Sequence, residues 1–325
     1  TVDMKQMVHK IHYGENLTNG YFIEGYGGRI IDFSDFVFPQ DVRNCTTCHQ
    51  ESDPTVPQAS NWKTVQNKVV CGSCHDDIDF EAGDHVGGIS DDSTCVTCHG
   101  EGSTVNGGIH QVSEVHKLAE AIAAEAFEYE VVSITNTAPG ETPVVQIRVL
   151  NPTDPNYATD PASTAYDLND PTGPFQVGSA RLRVDIAWNN DDFGNLDPND
   201  DLARAPDSGA PFAPIVIDFK TGAAALPDGV FEKAASDAIP TGVSGSGTVA
   251  LEGRPEVDLG DGLVSLSVTS ASKAFTIDDA EPVARRQVVD INKCNDCHKT
   301  LALHGDNRVG NTEVCSTCHY RNATD

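Results

Sequence analysis

The sequence predicts an antiparallel β-sandwich or barrel set between two segments with little regular secondary structure. Three observations predict this. All ten cysteines and all eleven histidines fall in residues 1–125 or 288–325, and none lies between. The cysteine-free block, 126–287, carries short runs that alternate apolar and polar side chains. Pro, Gly and Asp clusters punctuate those runs.

The first segment, 1–125, holds three cysteine pairs: Cys45 and Cys48, Cys71 and Cys74, and Cys95 and Cys98. Each pair has two intervening residues and is followed at once by a histidine: His49, His75 and His99. C-x-x-C-H is the heme c attachment pattern, in which two thiols form thioethers to the porphyrin and the adjacent histidine becomes an axial iron ligand. Paired cysteines also occur in zinc ribbons and in disulfide frameworks, but neither requires a histidine after every pair. Periodicity here is weak. A single short helix is expected from Ser113, an N-cap, through Ala126, with Val115, Leu118 and Ile122 on one face. With so few apolar side chains per motif, the porphyrins themselves are expected to form the core, and the segment is expected to be unfolded without them.

The middle block, 126–287, is expected to be β structure. Leu182, Val184, Ile186 and Trp188 alternate with Arg183, Asp185 and Ala187, the period-two pattern of a half-buried strand. Val145, Ile147 and Val149 do the same, as do Ile215, Ile217 and Phe219, and then Val264, Leu266 and Val268. Breakers such as Asn151-Pro-Thr-Asp-Pro separate them.

The last segment, 288–325, carries Cys294 and Cys297 before His298, and Cys315 and Cys318 before His319. The whole is therefore expected to be a multiheme cytochrome c, with all ten cysteines as thioether tethers of five hemes c and an inserted β domain.

A c-type iron needs a second axial ligand. Only two methionines exist, and six histidines lie outside the motifs: His9, His12, His85, His110, His116 and His304. Five irons and six candidates allow bis-histidine ligation throughout, with one histidine left over. His110 and His116 compete for one role, and His116 fits slightly better. Irons capped on both faces have no open position for substrate, so the chain is expected to transfer electrons, with no catalytic residue. The alternatives are a multiheme oxyanion reductase, which needs one five-coordinate heme, and a periplasmic electron shuttle.

Charge narrows the partners. A formal net charge of −28, from 21 Lys+Arg against 49 Asp+Glu, would repel nucleic acid and anionic membrane surfaces. No apolar run approaches the ~20 residues that span a bilayer. Thr1 opens without a basic and then apolar leader, so any export signal is expected to have been removed or to lie outside these residues.

Two stretches resemble the OmcA/MtrC family of outer-surface decaheme cytochromes. One is Met7-Val-His-Lys-Ile-His-Tyr-Gly-Glu-Asn-Leu with Asp41-Val-Arg-Asn-Cys-Thr-Thr-Cys-His. The other is Cys294-x-x-Cys-His-x-x-Leu-x-x-His-Gly-Asp-Asn-Arg with Cys315-x-x-Cys-His-Tyr-Arg-Asn-Ala-Thr-Asp. The resemblance implies alternating β and pentaheme domains, bis-histidine ligation with His9, His12, His85 and His304 as distal ligands, and an extracellular location. It also implies metal oxides, flavins or other multiheme cytochromes as electron partners. The family's usual order is two hemes, His-x-x-His, then three. This chain starts at His-x-x-His and ends on two hemes, which leaves two expectations open: an internal fragment of a longer protein, or one period of a heme wire with identical subunits end to end and Asp325 near a neighbour's Thr1.

Weaker signals remain. Asn189-Asn-Asp-Asp-Phe-Gly-Asn-Leu-Asp-Pro-Asn-Asp-Asp offers oxygen ligands that suit calcium but lacks the helix–loop–helix spacing, so a solvated turn is the first expectation. Arg43, Lys63 and Lys68 are candidates for pairing with heme propionates.

Overall fold

The computed structural model describes residues 3–88, 91–188, 190, 194–195 and 214–320. The chain forms two compact units, one of residues 1–118 with 296–299 and one of residues 119–295 with 300–325.

The first unit is built from single turns. Helix α1 (Met4–Tyr13) starts where the Asp3 side chain accepts from the Lys5 N–H. It stops at Gly14, whose φ of 33° is left-handed and whose missing Cβ leaves room for the Phe36 carbonyl oxygen, 2.2 Å from where that atom would stand. Strands β1 (Phe22–Glu24) and β2 (Ile30–Asp32) form an antiparallel hairpin. The remaining elements are turns and helices of three to five residues. Among the described residues of this unit, only Leu17, Ala59 and Cys95 are buried apolar side chains, while Val69, Val96, Ile109 and Val115, close to the motifs in sequence, are exposed. Such a unit has almost no core of its own.

The expected helix over Ser113–Ala126 is two helices, Val112–Val115 and Ala119–Ala124. The break falls at His116, whose Nδ1 lies 2.9 Å from the Val112 carbonyl oxygen, one turn back. Val115 and Ile122 are exposed, so the apolar stripe read from the sequence has no packed surface to hold one continuous helix.

The second unit is a β-sandwich. Strands β3 (Glu128–Thr135), β4 (Val144–Leu150), β8 (Phe231–Ala234) and β7 (Ala224–Ala225) form one antiparallel sheet in that order. Strands β12 (Ala271–Thr276), β9 (Ser246–Arg254), β5 (Arg181–Trp188) and β6 (Ile215–Asp218) form the other. One apolar core joins the sheets: Val145, Ile147 and Val149 from the first and Leu182, Val184, Ile186, Trp188, Val249 and Leu251 from the second. Two separate sheets around a shared core make this a sandwich and not a barrel. Two small hairpins complete the unit, β10 (Glu256–Asp258) with β11 (Leu263–Ser265), and β13 (Ala302–Leu303) with β14 (Arg308–Val309).

One strand departs from the alternation expected of it. On β5 the residues opposite the core are buried as well, with Asp185 at 1% exposure and Ala187 at 0%, and their β9 neighbours Ala250 and Thr248 are buried too. The cover is the chain from 301 to 320. Gly253 donates to the Asn307 carbonyl (3.0 Å), Ser270 donates to the Val309 carbonyl (2.9 Å), and Asn311 Nδ2 donates to the Ser270 carbonyl (3.0 Å). The second sheet therefore packs on both faces, and the fifth C-x-x-C-H motif is built on its outer side.

Candidate functional site

Each motif is a one-turn loop. The His49, His75 and His319 N–H groups each donate 2.9 Å to the carbonyl of the first cysteine of their own motif, Cys45, Cys71 and Cys315. Motifs three and four lie in helices Cys95–His99 and Ile291–His298. Helical caps fix two of these turns, with Asn67 accepting from Val70 N–H and Asn311 from Glu313 N–H. None of the ten cysteines is paired in a disulfide. Among the described residues no three His, Cys, Asp or Glu side chains converge as a metal-ion site.

The ten cysteines expected as tethers are not five equivalent pairs. Cys48 and Cys297 are exposed, and Cys98 is only half-buried although Cys95, in the same turn, is buried. This departs from the uniform set that five identical motifs suggest. Cys48, Cys98 and Cys297 all belong to the first unit, which has almost no apolar side chains to cover them. Cys74 and Cys318 are more enclosed. Burial pushes both thiols up to about 11, with nearby thiols and carboxyls adding to the effect.

The structure brings four motif histidines opposite a histidine from outside the motifs. Ring centres are 6.4 Å apart for His49 and His9, 6.2 Å for His75 and His116, 5.9 Å for His99 and His85, and 6.0 Å for His319 and His304. Two imidazoles ligating one metal at about 2 Å, with about 1 Å from nitrogen to ring centre, stand about 6 Å apart, so these pairs fit a six-coordinate iron. For the remaining motif histidine, His298, Nδ1 lies 3.1 Å from the Pro39 carbonyl oxygen, while Phe38 packs edge-on against the His12 ring at 4.9 Å. Consecutive residues thus touch both imidazoles.

Hydrogen bonds select the ring nitrogen. Nδ1 lies within 2.6–3.1 Å of a backbone carbonyl in His9 (Lys5), His12 (Val8), His49 (Ala59), His99 (His110), His116 (Val112) and His298 (Pro39). A carbonyl only accepts, so Nδ1 carries the proton and Nε2 keeps its lone pair for a metal. His85 differs, because its Nδ1 is buried without a partner. His110 differs more. Its ring is 6.2 Å from His99, but its carbonyl is what His99 bonds, and its Nε2 is 3.0 Å from Asn106 Nδ2. His110 therefore orients a motif histidine through its backbone, and its own ring nitrogen is engaged.

Arg43, Lys63 and Lys68, the expected propionate partners, hold Asp41 (2.7 Å), Glu51 (2.9 Å) and Glu81 (3.3 Å).

The first unit carries the family likeness. Residues 1–117 match the outer membrane cytochrome MtrC/MtrF-like family, domains II/IV. These residues make up about a third of the chain, which is similar there to the MtrC/MtrF-like cytochromes. Its likeness to the multiheme cytochrome MtrC of Shewanella baltica (strain OS185) is 33% identity over 58 residues, which is 18% of this chain and 9% of that protein. The crystal structure of MtrC from Shewanella baltica OS185 superposes with a TM-score of 0.59 at 18% identity, over 98% of this chain and 50% of that one. At that identity the match establishes an MtrC-like fold for the whole chain, and the chain spans about half the length of that solved relative.

Sequence reasoning missed several residues of this MtrC-like architecture. Alternation puts Asp185 on a polar face, Glu252 lies in no motif, and Arg308 and Asn195 fall in stretches noted above with no such role read for them. Asn195 is fully buried and donates from Nδ2 to the Thr317 carbonyl (2.8 Å), inside the fifth motif, while its Oδ1 accepts from Trp188 N–H (3.3 Å). It belongs to the stretch considered for calcium, most of which, like Thr1 and Asp325, lies outside the described residues.

Proposed function

We propose that the chain conducts electrons through five c-type hemes, each ligated by two histidines: His49 with His9, His75 with His116, His99 with His85, His298 with His12, and His319 with His304. The observation that carries this reading is the pairing of imidazoles about 6 Å apart, with Nδ1 committed to a carbonyl in four of the eight, His9, His49, His99 and His116. When bound, the hemes supply one-electron exchange between ferric and ferrous iron.

The protein's own residues hold and space these groups. The two cysteines of each motif tether a porphyrin edge, and the one-turn loop aims the histidine beneath its centre. The scarcity of buried apolar side chains in the first unit supports porphyrins completing its core, and the openness of Cys48, Cys98 and Cys297 leaves those tethers within reach of one. A charge on Cys45 raises Cys74, and one on Cys95 raises Cys71, so the tethers of neighbouring motifs lie close together. That proximity supports a route from motif one through two to three. The functional division we propose is a triheme region (1–125), a β domain (126–287) and a diheme region (288–325).

Likeness to MtrC supports an extracellular place of action, with other multiheme cytochromes, flavins or metal oxides as partners. Arrangement as one period of a heme wire, with copies end to end, extends the same reading. A pyridine hemochrome assay with intact mass tests it: five hemes per chain are expected, and the reduced protein should not bind carbon monoxide quickly. Fewer hemes, or rapid carbon monoxide uptake by the native protein, would overturn the assignment.

A further inference from the structure

Beside the fifth motif lies a buried ionisable cluster that ligation does not use. Asp185 on β5 is 1% exposed and Glu252 on β9 is 4% exposed. Both face Arg308 on β14, which forms a close ion pair through Nε to Glu252 and reaches Asp185 Oδ2 at 3.7 Å. Asp185 Oδ2 has no hydrogen-bond partner, and Tyr129 Oη and Asn307 Oδ1 are likewise buried without one. Two carboxyls thus share one guanidinium, and one carboxylate oxygen is left unmatched in a site closed to solvent.

The cluster lies within electrostatic reach of the fifth motif. Cys318 senses Asp185, Arg308 and Glu252, and His304 senses Arg308 and Glu252. No hydrogen bond joins either carboxyl to His304 or His319 among the described residues. The other charged groups near the pair are Arg183 on β5 itself and the exposed Asp218 on β6, which pairs with Arg183 in register; Tyr129 on β3, in the core between the sheets, feels the charge of Glu252.

We propose that Asp185 and Glu252 form a proton-accepting site that takes up one proton when the iron between His304 and His319 is reduced. This rests on the ligation proposed above. With both carboxyls ionised the cluster carries one excess negative charge. A ferric iron with two neutral imidazoles and the porphyrin dianion is net positive and offsets it. One electron, supplied by the electrode or a neighbouring heme, removes that positive charge. A proton from water then adds to a carboxylate oxygen as a new O–H bond, so one electron and one proton enter together and no bond in the protein breaks. Burial, and after it the charge of Glu252, push Asp185 up to about 7 against the pull of Arg308 and Arg183, which places the exchange near neutral pH.

The test is spectroelectrochemical titration of the loaded full-length chain between about pH 5 and pH 9. In the wild type, one of the hemes should become harder to reduce as pH rises through neutrality, by up to about tenfold in its reduction constant per pH unit. Asp185→Asn and Glu252→Gln should each flatten that dependence, and Asp218→Asn should leave it unchanged. Infrared difference spectra taken on reduction should show a protonated carboxyl band that shifts in D2O and is lost in Asp185→Asn. The proposal is overturned if the variants bind five hemes and keep the wild-type pH dependence, or if the band persists. A chain with no heme at the fifth motif, by heme count, would overturn the ligation reading and this one with it.

Discussion

His304 and His319 hold their rings 6.0 Å apart and within 29° of parallel. Both lie on the short stretch that covers the second sheet, and Arg308, four residues after His304, anchors that stretch to Glu252. The sandwich therefore sets the geometry of one pair of imidazoles directly.

Replacing His304 with Ala should open one axial position. Reduced His304→Ala is expected to bind about one carbon monoxide per chain, read as a Soret shift in part of the heme population, while the wild type binds none quickly. Uptake equal to the wild type would remove His304 from the ligand set.

The two histidines after the third motif should separate cleanly. His116→Ala should create one carbon monoxide-binding heme. His110→Ala should create none, because the carbonyl that orients His99 survives the substitution and the ring nitrogen was engaged with Asn106. A new binding site in the His110 variant and none in the His116 variant would reverse the assignment.

Asn195→Ala removes a partner of the buried Thr317 carbonyl and one acceptor for Trp188 N–H. A buried group left unpaired costs about 1–3 kcal/mol, so the denaturant midpoint of the second unit should fall accordingly. The heme count should hold, since neither cysteine of the fifth motif is altered.

Asp185 also makes a prediction for stability. Its folded-state carboxyl is raised above the unfolded value, chiefly by burial, so the folded chain holds the extra proton between about pH 4 and pH 7. The favourable contribution is complete below the lower limit and is lost as pH climbs through the upper one. Thermal scans of wild type and Asp185→Asn should diverge across that window, with the variant less sensitive to rising pH. Parallel curves would show that Asp185 does not titrate there.

Much of this molecule was legible in its residues. The five C-x-x-C-H motifs are local, so their positions from Cys45 to His319 could be read directly. Three of the strand patterns, Val145–Val149, Leu182–Trp188 and Ile215–Phe219, emerged from alternation because a sandwich core imposes period two; the fourth, Val264–Val268, is a strand only as far as Ser265, although Leu266 and Val268 are buried. How far each thiol is covered could not be read. Cys48, Cys98 and Cys297 share their motif with Cys74 and Cys318, yet cover comes from whatever packs nearby and not from the motif. Which distal histidine meets which motif was equally hidden, since His75 and His116 are joined only through tertiary packing. So was the burial of Asp185. Alternation records the face turned to the core, and a second cover laid over the other face leaves no mark in the strand itself. The Ser113–Ala126 helix failed for a related reason, its apolar stripe having nothing to pack on.

That second cover has a consequence for how the protein is made. The sandwich closes its own apolar interior from residues 127–277 alone, so it can form as soon as that stretch is available, before any porphyrin of the proposed set would be attached to the tail. Ala187, Thr248 and Ala250 would then stand bare as a landing strip for residues 301–320. Maturation of the fifth motif would take place on a finished template, while the first unit, with no such platform, would await its prosthetic groups before taking shape.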